Sequence, residues 1–285
     1  MLPFAKKGLL FIGVLLAITC LAHEFWLLPN KFIYQLGETA NIRFNVGEHF
    51  KGDNWTGNKT RINSLVLITP SGSLQDLAQK LSENKGDSLQ LALNEPGTHM
   101  VLFNSKNSFI KLEAKKFNDY LQEDGLQTAI KYRKEHGEYS LAGTEYYQRS
   151  VKTLVQCGIR PDDGSYCTKK TNLPLDIVPA TNPYKPQIEG SYINHNRTYH
   201  VYFKQQPIPN IKVRYWCKTL DGKLITKEKT TNKRGAVSFN QETGETMISC
   251  VHMERIVDDA TPEWQSYWGS LTFLYRQGNL FKKAR

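Results

Sequence analysis

From Ala40 to Val46 apolar and polar residues alternate without a break: Ala40, Ile42, Phe44 and Val46 fall on one side, Asn41, Arg43 and Asn45 on the other. A period of two suits a strand with one buried face and does not fit a helix of 3.6 residues per turn. Short runs of strand character follow, each closed by turn chemistry. Residues 65–68 lead into Pro70-Ser71-Gly72, and Leu89, Leu91 and Leu93 alternate up to Pro96-Gly97, after which come 99–104 and 109–112. Strands this closely spaced, with no long helix between them, predict an antiparallel sandwich.

The period changes after Ala114. Phe117 and Leu121 share a helical face, and Leu126, Ala129, Ile130 and Arg133 resume that spacing beyond Gly125. Tyr147, Val151, Leu154 and Val155 predict a further amphipathic helix. Pro174, Pro179, Pro183 and Pro186 each fix φ and remove a donor, so 173–186 reads as an extended linker. Alternation returns with Tyr199, Val201 and Phe203, then Ile211, Val213, Tyr215 and Cys217, a turn at Leu220-Asp221-Gly222-Lys223, and further strands at 230–239 and 246–253. The 285 residues exceed what one compact core usually holds. The expected fold is mainly β: two immunoglobulin-like antiparallel β-sandwich domains, 23–114 and 187–285. A helical connector at 115–156 and a disulfide loop with Pro-rich linker at 157–186 would join them.

Residues 1–22 have the parts of a secretory signal peptide: Lys6 and Lys7, an apolar run from Gly8 to Leu21, and small Ala22 before the cut. Lipidation at Cys20 and an uncleaved anchor are the competing readings. Thr19 suits a lipidation signal poorly, and the run is shorter than the roughly 20 residues of a membrane span. Cleavage before His23 would release a periplasmic protein without stable membrane insertion. The net charge of +10 is spread among interleaved acids and bases, as between Lys223 and Lys233, which gives no nucleic-acid signature. In an oxidising compartment Cys157, Cys167, Cys217 and Cys250 predict two disulfides. Of three connectivities, local pattern favours Cys157 with Cys167 and Cys217 with Cys250. A thiolate metal site lacks the C-x-x-C spacing it would need.

An N-terminal histidine chelates through its α-amine and imidazole Nδ1, and a second histidine supplies a third nitrogen, the arrangement known as a histidine brace. Imidazole suits copper, nickel and zinc. His252 is the preferred partner of His23, because Ile248, Cys250 and His252 share a strand face; His49, beside Glu48 after a strand, is the second choice. His136 reads as a helix-end cation, and His195 and His200 fall in exposed phases. Met253 could add a thioether, though a lone strand methionine is more often core. Trp264, Tyr267 and Trp268 offer sugar-binding faces, but sandwich cores use the same residues and core is the preferred reading. No nucleophile elbow, P-loop or H-E-x-x-H motif occurs.

Several stretches together resemble the DUF4198 family. They are His23-Glu24-Phe25-Trp26-Leu27, Val46-Gly47-Glu48-His49-Phe50, residues 116–121 through Gly125-Leu126, 145–155, Ile177-Val178-Pro179 with Asn182-Pro183, Val251-His252-Met253, and 264–273. The resemblance implies a periplasmic protein grouped with cobalt or nickel ABC uptake systems. The function expected is therefore an accessory or binding component for a transition metal (nickel, cobalt or copper) that serves an ABC-type membrane transporter. The alternatives are a metal-free interaction or carbohydrate-binding module and a copper-brace oxidase.

Overall fold

The computed structural model describes residues 24–84, 88–159, 161, 166–190, 192–256 and 261–277. The signal-peptide reading and His23 itself lie outside them.

A ten-stranded sheet forms the middle layer. Its main path runs Leu224–Thr230, Lys212–Thr219, Gly244–Arg255, Trp264–Tyr275, Gly143–Cys157, Gly97–Ser105, Ile62–Ile68 and Leu74–Asp76, with Ile33–Tyr34 and Ser108–Leu112 added alongside 143–157. The junction at its centre is parallel: Glu145 to Thr153 pair in register with Trp264 to Thr272. Residues on both sides of the 157–186 segment thus share one sheet.

Both faces of this sheet are covered. On one face lies a four-stranded sheet built from Glu24–Pro29, Thr39–Glu48, Lys51–Asn54 and Ser88–Ala92. Phe25, Leu27, Ile42 and Phe44 pack there against Leu65, Leu67, Val101, Phe103 and Val151. Beside it on the same face sit helices α1 (Ala114–Glu123) and α2 (Gln127–Glu135), whose Phe117, Leu121 and Ile130 meet Val251, Met253, Trp264 and Trp268. The opposite face carries a second four-stranded sheet of Leu175–Pro179, Asn196–Phe203, Gln206–Pro207 and Ala236–Asn240, with Tyr199, Val201, Val213, Tyr215, Ile248, Leu271 and Phe273 between the layers. The protein is mainly β, with several sheets and two α-helices among the described residues.

The two short helices form where the spacing predicts them, and Gly125, with φ of 70°, makes the left-handed turn between them. The helix expected over 147–155 is instead part of the long strand Gly143–Cys157, buried along most of its length. A strand covered on both faces shows no apolar–polar alternation. Here polar side chains such as Glu145, Arg149, Lys152 and Gln156 are buried along with the apolar ones, so no alternation marks the strand, and Tyr147, Val151, Leu154 and Val155 fall at helix-like spacing by coincidence.

The expected disulfides are also corrected: no disulfide joins the four cysteines, all of them buried. Cys217 pairs across the ladder with Thr246, whereas Cys250 pairs with Val213. Four residues of strand separate them, about 13 Å, beyond the reach of a disulfide. Cys157 and Cys167 sit in different cores on opposite sides of the middle sheet.

Candidate functional site

The strand Glu24–Pro29 is tied to the middle sheet by two small hydroxyls. Ser270 Oγ donates to the Phe25 carbonyl at 2.7 Å, and Thr272 Oγ1 to that of Leu27 at 2.7 Å. This anchors Glu24 at the open end of the layer, paired with Gly47 on the neighbouring strand. Beyond Gly47 the chain reverses at once, since Glu48 pairs with Lys51 and only His49 and Phe50 form the turn.

Both turn residues are left-handed, with φ of 53° and 54°. Such turns match strand twist but usually employ asparagine and glycine. Histidine and phenylalanine are held there by packing: Phe50 is buried with Trp26, Trp216 and Met247, and the His49 ring lies 5.9 Å from the Trp216 ring. Gly47 and Gly52 let the two arms close, because a Cβ on either would come within 2.2 Å of a backbone oxygen opposite.

His49, Glu24 and Glu48 line one cleft with Tyr120, Glu123 and Asp124 from the end of α1, Arg214 and Trp216 from the strand Lys212–Thr219, and Trp268. Its free volume is about 30 Å³, which suits an ion or a water molecule rather than an organic substrate. The cleft is electrostatically divided. Arg214 pairs with Asp124, donates through Nη2 to the Glu123 carbonyl, and bonds Glu228 through Nε at 2.9 Å. Burial opposes its charge, but the surrounding carboxylates outweigh that cost and raise its pKa. Burial pushes Asp124 up to about 6 despite Arg214. Glu24 rises to about 7, through burial first and then the Asp124 charge. Behind the cleft Glu145 is fully buried and rises to about 8. The Tyr120 hydroxyl donates to its Oε2 at 3.2 Å. Tyr120 in turn stacks on Trp268, their centroids 5.7 Å apart.

The histidines proposed from sequence are therefore dispersed. His49 shares the cleft with Glu24, the residue bonded to His23. His252 does not, because successive strand residues face opposite sides: Val251 and Met253 turn toward the helices, whereas His252 packs 4.3 Å from the Phe203 ring beneath the opposite sheet. Burial lowers its pKa, against the opposing charge of Glu254 and with a smaller contribution from Lys204, and favours the neutral ring. His136 stacks on Tyr132 at the end of α2, with Nδ1 2.9 Å from the Tyr132 carbonyl, and His195 Nδ1 lies 2.8 Å from the Tyr275 hydroxyl. Met253, Trp264 and Trp268 are buried, as a core reading requires. Among the described residues no group of three or more His, Cys, Asp or Glu side chains is arranged to hold a metal.

Asp124, Arg214, Glu145 and Trp216 were not singled out from sequence. The available signal was charge inside apolar strands, as in Arg214 between Val213 and Tyr215.

The sequence profile of DUF4198, a domain of unknown function, matches residues 20–254. The chain belongs to the DUF4198 family. No curated protein matches it. Among solved structures it is similar to latent PorU from Porphyromonas gingivalis, with 10% identity, 95% of this chain and 22% of that chain covered, and a TM-score of 0.21. It is also similar to the D0-D1 domain of intimin, at 13% identity with 86% and 96% covered and a TM-score of 0.20. Escherichia coli alpha-2-macroglobulin follows at 11% identity, 90% and 31% covered, with a TM-score of 0.21. The chain thus spans about a fifth of the PorU chain, and spatial agreement this low carries no argument about fold or activity. No helix among the described residues is long and apolar enough to cross a membrane.

Proposed function

We propose that this DUF4198 protein is an exported metal-binding protein whose ion is held at the head of its first strand by His23 and His49. The observation that supports this reading is the shared cleft: His49 and Glu24 line one small cavity, and His23 is the residue covalently bonded to Glu24. An α-amine, two imidazoles and a carboxylate form a donor set suited to copper, nickel or cobalt. Since the described residues contain no three-ligand cluster, the reading depends on His23 and on leader cleavage before it. His252 has no part in this set.

The cleft's small volume and its buried tryptophans favour ion capture over oxidation of a bound polymer, which calls for an open, flat aromatic surface. The resemblance to proteins grouped with cobalt or nickel ABC uptake systems supports delivery of nickel or cobalt to an ABC-type membrane transporter in the periplasm, and the imidazole donors suit copper as well. Two immunoglobulin-like sandwiches that share the middle sheet are the finer fold reading that accompanies this proposal.

The test is calorimetric titration of Cu(II), Ni(II) and Co(II) into naturally exported protein, with mass spectrometry identifying the first residue. The expected result is one ion per chain, lost in His23→Ala and in His49→Ala but retained in His252→Ala. Absence of stoichiometric binding in protein that begins at His23 overturns the proposal.

A further inference from the structure

The middle sheet is wider than the sheet that covers its second face. Near its edge the strands Ile62–Ile68 and Gly97–Ser105 turn Val66, Ile68, Met100 and Leu102 toward that face, beyond the cover provided by Leu175–Pro179. The chain from Tyr166 to Leu173 crosses over this apolar area without filling it. The space left has a volume of about 450 Å³, within the range of small-molecule sites.

Its walls and its mouth differ in chemistry. Met100, Leu102 and Leu173 are buried and Val66 and Ile68 are half-buried, and Asn104 also lines the space, with its amide nitrogen donating to the Arg149 carbonyl at 3.0 Å. At the mouth stand Lys169 and Lys170, both exposed, and no described residue lining the cavity is acidic. The Lys169 ammonium lies 4.6 Å over the Tyr166 ring, and Lys170 Nζ donates to the Gln205 carbonyl at 3.1 Å. Neither makes an ion pair that would neutralise it among the described contacts. Water in such a chamber has few polar partners, so its displacement by an alkyl chain is favourable.

We infer that this cavity binds a free single-chain alkyl carboxylate of the fatty-acid class, with the chain between Met100 and Leu173 and the carboxylate at Lys169 and Lys170. The argument is independent of the metal site, which lies on the other face of the middle sheet.

The test is calorimetric titration of the full processed chain with dodecanoate below its micellar concentration, beside dodecanol and dodecyltrimethylammonium. Dodecanoate is expected to bind at one per chain, at least about tenfold tighter than the uncharged alcohol and tighter still than the cation; tenfold corresponds to about 1.4 kcal/mol. Val66→Trp, which fills the chamber, should abolish binding. Lys169→Glu with Lys170→Glu reverses the charge of the exposed mouth, at the loss of the Lys170 bond to the Gln205 carbonyl, and should weaken dodecanoate about tenfold while leaving dodecanol unchanged. No saturable binding, equal affinity for the cation, or unaltered binding in both variants overturns the inference. So does cosedimentation with phosphatidylglycerol vesicles without binding of free dodecanoate, which would make the basic rim a membrane contact.

Discussion

The Lys152 ammonium and the Asp176 carboxylate form a salt bridge in which each side chain is only 1% exposed. Lys152 projects from the long central strand and Asp176 from the facing sheet, so the pair joins two layers in their interior. Asp176 Oδ2 also accepts the Thr171 amide at 2.6 Å, which ties down the segment leading into its strand.

Removal of one partner leaves a buried charge unmatched, so Lys152→Met should cost about 3–5 kcal/mol. The double variant Lys152→Met with Asp176→Leu should recover most of that loss. Urea unfolding followed by tryptophan fluorescence measures both. A double variant as unstable as the single one would mean that packing, not charge, makes this site sensitive.

Glu145 titrates near 8 in the fold and near 4.5 when unfolded, chiefly because burial disfavours its charge. Between those values the native state binds the extra proton. Its contribution is therefore fully present below the unfolded pKa and is lost as pH rises through the folded one. Asp124, raised to about 6 by burial, acts in the same direction at lower pH. The melting temperature should fall between pH 5.5 and pH 8, with Glu24, raised to about 7, acting alongside, and Glu145→Gln should reduce that slope across the whole window. An unchanged slope would assign the dependence to other groups.

His49 and Phe50 occupy left-handed backbone positions that cost a non-glycine residue about 1–2 kcal/mol. His49→Gly should stabilise the protein by up to about 1 kcal/mol, the remainder being offset by glycine's greater unfolded-state freedom and the lost Trp216 contact. The same variant should lose the proposed metal ion. Calorimetric unfolding of the metal-free protein reads the first effect; a lower melting temperature would mean that the histidine ring's contacts outweigh its backbone strain.

Cys217 and Cys250 stand too far apart along their ladder to be bridged, and burial raises both thiol pKa values. Reductant should leave the melting temperature unchanged. Both thiols should react with iodoacetamide in denaturant and resist it in the native protein. A peptide linking the two in a non-reducing digest would contradict the observed register.

Sequence pattern was sufficient for local structure wherever an element is buried on one side. The alternation of Ala40, Ile42, Phe44 and Val46 and the paired helices around Gly125 can be read directly, because one solvent-facing side leaves a period in the sequence. It also marked His49 as a candidate and Met253, Trp264 and Trp268 as core. The strand Gly143–Cys157 could not be read this way: covered on both faces, it loses its period, and its central place depends on pairing with residues more than a hundred positions away. The offset between Cys217 and Cys250, the opposite facing of His252 and Glu24, and the meeting of Arg214 with Asp124 across ninety residues arise from strand register and layer order. These are set by the joint burial of distant segments, and no local run of residues encodes them.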